Sequence, residues 1–338
     1  MLRKMMVGLT LAAMLLVSGI SFAQTDVVCG TLAEADCAIL TQSAEAMAEV
    51  SSSTFDMAFE INTGTQGALT IAADGAFEFT GEIGETDLAA LNSADPTVAF
   101  GVLKNLLANF KGTLNLSLSG TPEVGLPGDV AISLVLVDGI GYLNFAELAP
   151  LAGPSGDQML TQFGITDWAG LDLVGAIDLL GGMATGMETT PTDPAAAEEL
   201  NAAIANYVTI TREADVDGQA VFSTSIDFAG LLSEPAFADL VAAQAEAQGT
   251  DPEMLAGITE GISVTATSTI DLATFFQTSV SFDLNISGAA LQGSGVESIS
   301  ITGVVNYDNF NSAPAITAPA GPVATVMDLM NLMGGAGF

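Results

Sequence analysis

The sequence predicts an α+β protein organised around one large, curved antiparallel sheet of about eleven strands, accompanied by four or five helices. Three observations predict it. Segments in which large apolar residues alternate with polar ones recur along most of the chain, the period of a strand with one buried face. They are joined by Asp-Gly and similar turn-forming pairs, not by the regular helical crossovers that a parallel sheet needs. Apolar residues make up 49% of the chain and charged ones 13%, so a core can form despite a formal net charge of −35.

At the N-terminus, Arg3 and Lys4 precede a run of about 18 apolar or small residues that closes on Ser21-Phe22-Ala23, the layout of a cleaved secretory leader over residues 1–23. A run of this length can just span a bilayer, but Gly8, Thr10, Ser18, Gly19 and Ser21 dilute it. Ile20 stands after Val17-Ser18-Gly19, where a lipid-anchored chain would carry Cys. The expectation is export across the cytoplasmic membrane to a periplasmic or extracellular space. The exported chain is expected to be soluble, without a lipid anchor or stable membrane insertion. Residues 24–37 hold both cysteines. Cys29 and Cys37 are too far apart for a redox pair and have acidic neighbours, Glu34 and Asp36, which would raise a thiol pKa. A structural disulfide is expected, worth about 2.5 kcal/mol at best by chain-entropy reasoning.

Residues 38–320 form the main domain. Helical spacing over 39–50 gives way to period two at 54–62, where Phe55, Met57, Phe59 and Ile61 share one face and Asp56, Glu60 and Asn62 the other. Residues 69–73 and 77–83 continue the alternation around Asp74-Gly75, read as a hairpin turn or a bulge. A helix is predicted over 98–110, ahead of Lys111. Strands follow with Leu114, Leu116 and Leu118 on one face, then with Val130, Ile132, Leu134 and Leu136. Asp138-Gly139 marks a hairpin into IGYLNF, and 146–182 reads as helical or irregular around Trp168. The stretch GGMATGMETTPTDPAAAEE has the composition of a linker or exposed loop. Beyond it come strands at 207–212 and 221–228 around Asp217-Gly218, a helix over about 233–248 with Pro235 in its first turn, and strands at 262–270, 275–286 and 299–307. A Pro-rich stretch then leads into residues 321–338, an apolar C-terminal helix and tail.

Composition excludes several functions. Forty acidic residues against five basic ones leave no cationic surface for nucleic acid. There is no His, and neither G-x-S-x-G nor S-x-x-K occurs, so nucleophilic hydrolysis of the familiar kinds lacks its parts. Glu213–Gly218 lacks the full spacing of a calcium loop and is explained by its turn. Met327, Met330 and Met333 fit an amphipathic helix better than a soft-metal set. No enzyme activity, cofactor or metal is expected.

The opening AILTQSAEAMAEV with SSSTFDMAFEI, the central DGIGYLNF with DWAGLDL, and the closing ITGVVNYDNFNSAPAITAP resemble, in type and order, elements of the LolA/LppX-type lipoprotein-carrier superfamily of exported bacterial proteins. That resemblance covers roughly residues 38–320 and implies an antiparallel half-barrel with helices packed across its concave face and a hydrophobic cavity for acyl chains. The chain departs from such carriers in its length and in an acidity that opposes docking on anionic headgroups.

The function expected is non-catalytic binding of a lipid or other hydrophobic ligand between sheet and helices. The candidate contacts are Phe55, Met57, Phe59, Leu114, Leu116, Leu118, Ile132, Leu134 and Leu136, with Met47 on the first helix closing one side. Two alternatives stand beside it: a structural or cell-surface interaction protein whose same residues form a filled core, and a hydrolase using paired carboxylates. Self-repulsion at this charge should make the protein more stable as salt is added at neutral pH, and should not destabilise it on mild acidification. A melting temperature that ignores ionic strength would contradict this. Intact-mass analysis of exported protein should find a chain that begins at Gln24 and gains two hydrogens on reduction.

Overall fold

The computed structural model describes residues 29–30, 32–81, 96–124, 128–148, 165–184, 205–231, 233–235, 261–287, 296 and 298–325. Twelve strands form one curved, unclosed sheet: β1 (Ser52–Asn62), β2 (Ala68–Phe79), β3 (Phe110–Gly120), β4 (Val130–Val137), β5 (Ile140–Asn144), β6 (Trp168–Asp172), β7 (Val208–Arg212), β8 (Gln219–Ile226), β9 (Ile262–Asp271), β10 (Gln277–Ser287), β11 (Ser298–Asp308) and β12 (Val323–Ala324). Their order across the sheet is 12-6-5-4-3-2-1-11-10-9-8-7. Two meanders, β1 to β6 and β7 to β11, are thus joined where β1 pairs with β11. All pairs are antiparallel except β12 with β6.

The period-two pattern sets the register. Reading across β4, β3, β2, β1, β11 and β10, Ile132, Leu116, Ala73, Met57, Val305 and Val280 are successive partners, and the next row on that face runs Val130, Leu118, Ile71, Phe59, Gly303 and Phe282. A slip of one residue in any strand would turn its apolar set to the other face. The helices α1 (Glu34–Ala48), α2 (Pro96–Asn109), α4 (Leu173–Ala184) and α5 (Phe228–Leu231) accompany the apolar face, with the single-turn α3 (Phe145–Leu148) following β5. The Asp-Gly turns behave as the sequence predicts. Asp138 and Gly139 have φ of 52° and 76°, and Asp217 and Gly218 have φ of 51° and 81°, the left-handed pairs that two-residue hairpins use.

Several expectations need correction. Asp74-Gly75 is neither turn nor bulge, because β2 runs unbroken through it. Phe110 opens β3 instead of closing the preceding helix. Residues 168–172, inside the stretch expected to be helical or irregular, form β6, and residues 323–324 add β12 at the start of the segment expected to be a C-terminal helix. These additions bring the strands to twelve. The first helix begins at Glu34, so Cys37 lies in its first turn and the Cys29–Cys37 disulfide staples the chain directly to α1, with Cα atoms 5.4 Å apart. The leader segment 1–23, most of the Thr- and Pro-rich stretch, all but the first three residues of the helix expected over about 233–248, and the Met327–Met333 series lie outside the described residues.

The segment after β11 crosses the polar face of the sheet. The Asn311 N–H donates to the Ser52 carbonyl (2.7 Å), Ile316 is buried against Ala76 and Val137, and the Gly170 N–H donates to the Pro322 carbonyl (2.8 Å). Elsewhere that face carries a polar row. Asn115 Nδ2 donates to Asp74 (2.9 Å), Asn306 Nδ2 donates to Asp56 (2.9 Å), and Ser279 Oγ donates to Asn306 (2.8 Å). Asp56 and Asp74 are exposed and directly opposite each other in the register. Like charges so placed oppose strand pairing. Asp56→Asn, which keeps an acceptor for Asn306, should raise stability by about 0.2–1 kcal/mol at low salt, with the gain shrinking as salt is added, when measured by thermal denaturation.

Acid should act through Asp271, at the β9–β10 turn. The Thr274 N–H and hydroxyl and the Ala273 N–H all donate to its carboxylate and hold it below the ordinary carboxylate pKa. A lowered folded-state value contributes stability above the unfolded pKa and loses it as pH falls through the folded one. The Asp271→Asn variant should therefore lose less stability than wild type on strong acidification, when urea unfolding is compared across the acid range.

Candidate functional site

The two halves of the apolar face are packed differently. Over β7 to β11 it is filled. Phe228 of α5 packs with Val264, Leu284, Ile286, Ile299 and Ile301, and Leu40 of α1 packs with Ala220, Phe222 and Ile270. Leu284, Phe222 and Ile270 are each 1% exposed. Asp36 of α1 pairs with Arg212 of β7 (3.5 Å), whose guanidinium lies 4.9 Å from the centre of the Phe222 ring and also pairs with Asp215. Charge and ring stacking together hold α1 on this half.

Over β2 to β5 the same face is open. Leu134 at its centre is 39% exposed, and Leu114 and Leu136 are only half-buried. These three residues, with Phe55, Phe77, Phe79, Phe110 and Leu173, line a cavity of about 590 Å³. That lies within the range of about 300–1,000 Å³ usual for small-molecule sites. α2 and α4 flank it, tied to each other by Lys104 and Asp178 at 2.8 Å, while Leu173 at the start of α4 approaches Gly141 of β5.

The wall is built from the sheet alternation and an aromatic chain. Phe77 and Phe79 meet edge-on with centroids 5.7 Å apart, and Phe79 meets Phe110 at 5.0 Å. The Phe110 ring folds over Gly112, where a Cβ would come within 2.8 Å of it, so the glycine lets the ring lie against the strand. Thr113, Ala76, Val135 and Tyr142 also border the cavity, but the alternation turns their side chains toward the polar face. The Thr113 hydroxyl accepts a hydrogen bond from the Ala76 N–H (3.0 Å). Every described side chain that faces the cavity is therefore a hydrocarbon. Beside it, Tyr307 of β11 is the partner of Phe55, and burial pushes its phenol pKa above the ordinary value.

Of the residues singled out from sequence, Phe55, Leu114, Leu134 and Leu136 line the cavity. Met57, Phe59, Leu116, Leu118 and Ile132 share the face but lie farther along the strands, outside the lining. Phe59 packs instead on Phe282 across Gly303, with centroids 5.7 Å apart. Met47 sits on α1, whose buried contact is with the filled half. Sequence reasoning passed over Phe77, Phe79, Phe110 and Leu173. Phe110 carried a signal, since Phe110, Gly112 and Leu114 continue the alternation of β3 backwards, but the helical pattern before it absorbed the residue. Among the described residues no group of three or more acidic or Cys side chains is placed to hold a metal ion, and no helix is long and apolar enough to cross a membrane.

No protein-family model and no curated protein matches the sequence. Among solved structures the chain is similar to the S-type phycobiliprotein lyase CPES from Guillardia theta, over 80% of this chain and 92% of that one, with 8% identity and a TM-score of 0.21. A likeness so distant says nothing about what the cavity holds.

The asymmetry between the halves has a measurable consequence. Leu284→Ala should destabilise the fold by about 2–5 kcal/mol, as for a buried leucine, whereas Leu134→Ala should cost under about 1 kcal/mol, when both are compared by chemical denaturation.

Proposed function

We propose that this is an exported, non-catalytic protein that binds an apolar small molecule, of lipid or similar character, in the cavity over β2 to β5. One observation supports the reading above the others: on a single, mainly apolar sheet face, one half is filled by α1 and α5 while the other leaves Leu114, Leu134 and Leu136 around a cavity of about 590 Å³. An isolated stripe of large apolar side chains left accessible beside a packed core is what a ligand-binding surface looks like. The resemblance to lipoprotein carriers points the same way. The disulfide fits an oxidising compartment. A carboxylate-based hydrolase is disfavoured because no described acid faces the cavity.

Protein purified without detergent should release an apolar compound on organic extraction, or take up Nile red with a blue-shifted emission. Leu114→Trp and Leu134→Trp should each weaken that uptake about tenfold or more with an unchanged far-UV spectrum, while Leu118→Trp should leave it intact. Wild-type protein that yields no compound and takes up no dye, or Trp variants that bind as wild type does, would favour the structural reading.

A further inference from the structure

We infer that the cavity selects uncharged ligands and rejects anionic ones, free fatty-acid carboxylates included; this rests on reading the cavity as a binding site. A buried carboxylate or phosphate needs a cation or several donors to replace its water. The chain has five basic residues in all, against forty acidic ones. Arg3 and Lys4 fall in the leader segment. None of the other three is among the described residues that line the cavity, and each is paired with an acid. Lys104 is held by both carboxylate oxygens of Asp178 at 2.8 Å. Lys111 lies directly opposite Glu78, 4.0 Å from its carboxylate and in phase with Thr113 on the polar face. Arg212 belongs to the far edge of the sheet, between Asp36 and Asp215.

The cavity itself offers no substitute. Its described side chains are hydrocarbon, and the Thr113 hydroxyl is turned away and already accepts the Ala76 N–H. A ligand anion drawn against the hydrocarbon wall would lose its water without gaining a partner, and one held at the open mouth would still face a molecule whose net charge of −35 repels it. An ammonium group gains attraction from the exterior, but inside it too finds no counter-charge among the described lining residues. A neutral molecule meets neither penalty.

The test uses three probes with one carbon skeleton, retinol, retinoate and retinylamine, each displacing Nile red from the full exported protein at neutral pH. In about 0.15 M salt retinol should displace the dye at a concentration about tenfold or more below that needed for retinoate, and the gap should narrow as salt screens the repulsion. Leu134→Trp, at a partly exposed position that tolerates change, should weaken displaceable dye binding about tenfold or more; Leu114→Trp repeats the check if that variant misfolds. Retinoate equal to or better than retinol would overturn the inference, as would retinylamine binding better than retinol in a manner lost on Leu134→Trp. If the wild-type protein binds neither dye nor any probe, the cavity is not a binding site and the charge selection falls with it. Binding of all probes with a reversed charge order refutes the selection alone.

Discussion

The pairing of β1 with β11 is the interaction on which the rest of the molecule depends. It joins partners as distant as Ser53 and Asp308, 255 positions apart, and turns two separate meanders into one sheet. Without it each meander would present an eleven-residue edge with unpaired backbone groups, a liability for aggregation. Polar pins secure its end: the Ser51 N–H donates to Asn311 (2.7 Å), Ser53 Oγ to the Asp308 carbonyl (2.8 Å), and Asn309 Nδ2 to Thr54 Oγ1 (3.0 Å). Closing so long a loop costs entropy that grows only logarithmically with its length, so the cost weighs more on folding rate than on stability.

Once that seam exists, the face of every side chain follows from the alternation, and packing then differentiates the halves. Short α5 and the disulfide-tethered α1 deliver Phe228 and Leu40 into the β7–β11 half, which closes as an ordinary core. On the other half α2 and α4 spend much of their contact on each other and reach the sheet mainly near the β4–β5 hairpin. The aromatic chain from Phe77 through Phe79 to Phe110 lines the resulting space and does not fill it. The segment after β11 strengthens this half from behind, since Ile316 covers Ala76 and Val137 on the opposite face. An open cavity therefore rests on a sheet that is supported from its other side.

Charge acts on the same architecture from outside. The polar face gathers acids on adjacent strands, with Asp56 facing Asp74, and the three basic residues within the described chain are spent on fixing elements in place: α2 to α4, β2 to β3, and α1 to β7. None is left at the cavity. The sign of the surface and the neutrality of the pocket are two results of one composition.

Much of the fold was legible in the sequence because strand periodicity and Asp-Gly turns are local signals. The strands around Phe55, Leu114 and Ile132, the hairpins at Asp138 and Asp217, and the assignment of one apolar and one polar face needed only short windows of residues. So did the absence of histidine chemistry, which follows from composition. Tertiary structure decided what those windows cannot contain. That β11 returns to β1, that Trp168–Asp172 is a strand and that Val323 runs parallel beside it depend on partners far away in the chain. The same holds for the cavity. Leu134 and Leu284 stand in equivalent alternating strands and look alike in sequence, yet one is 39% exposed and the other 1%. The difference lies in whether a helix arrives over them, and helix placement is a matter of chain path and packing, not of the residue pattern beneath.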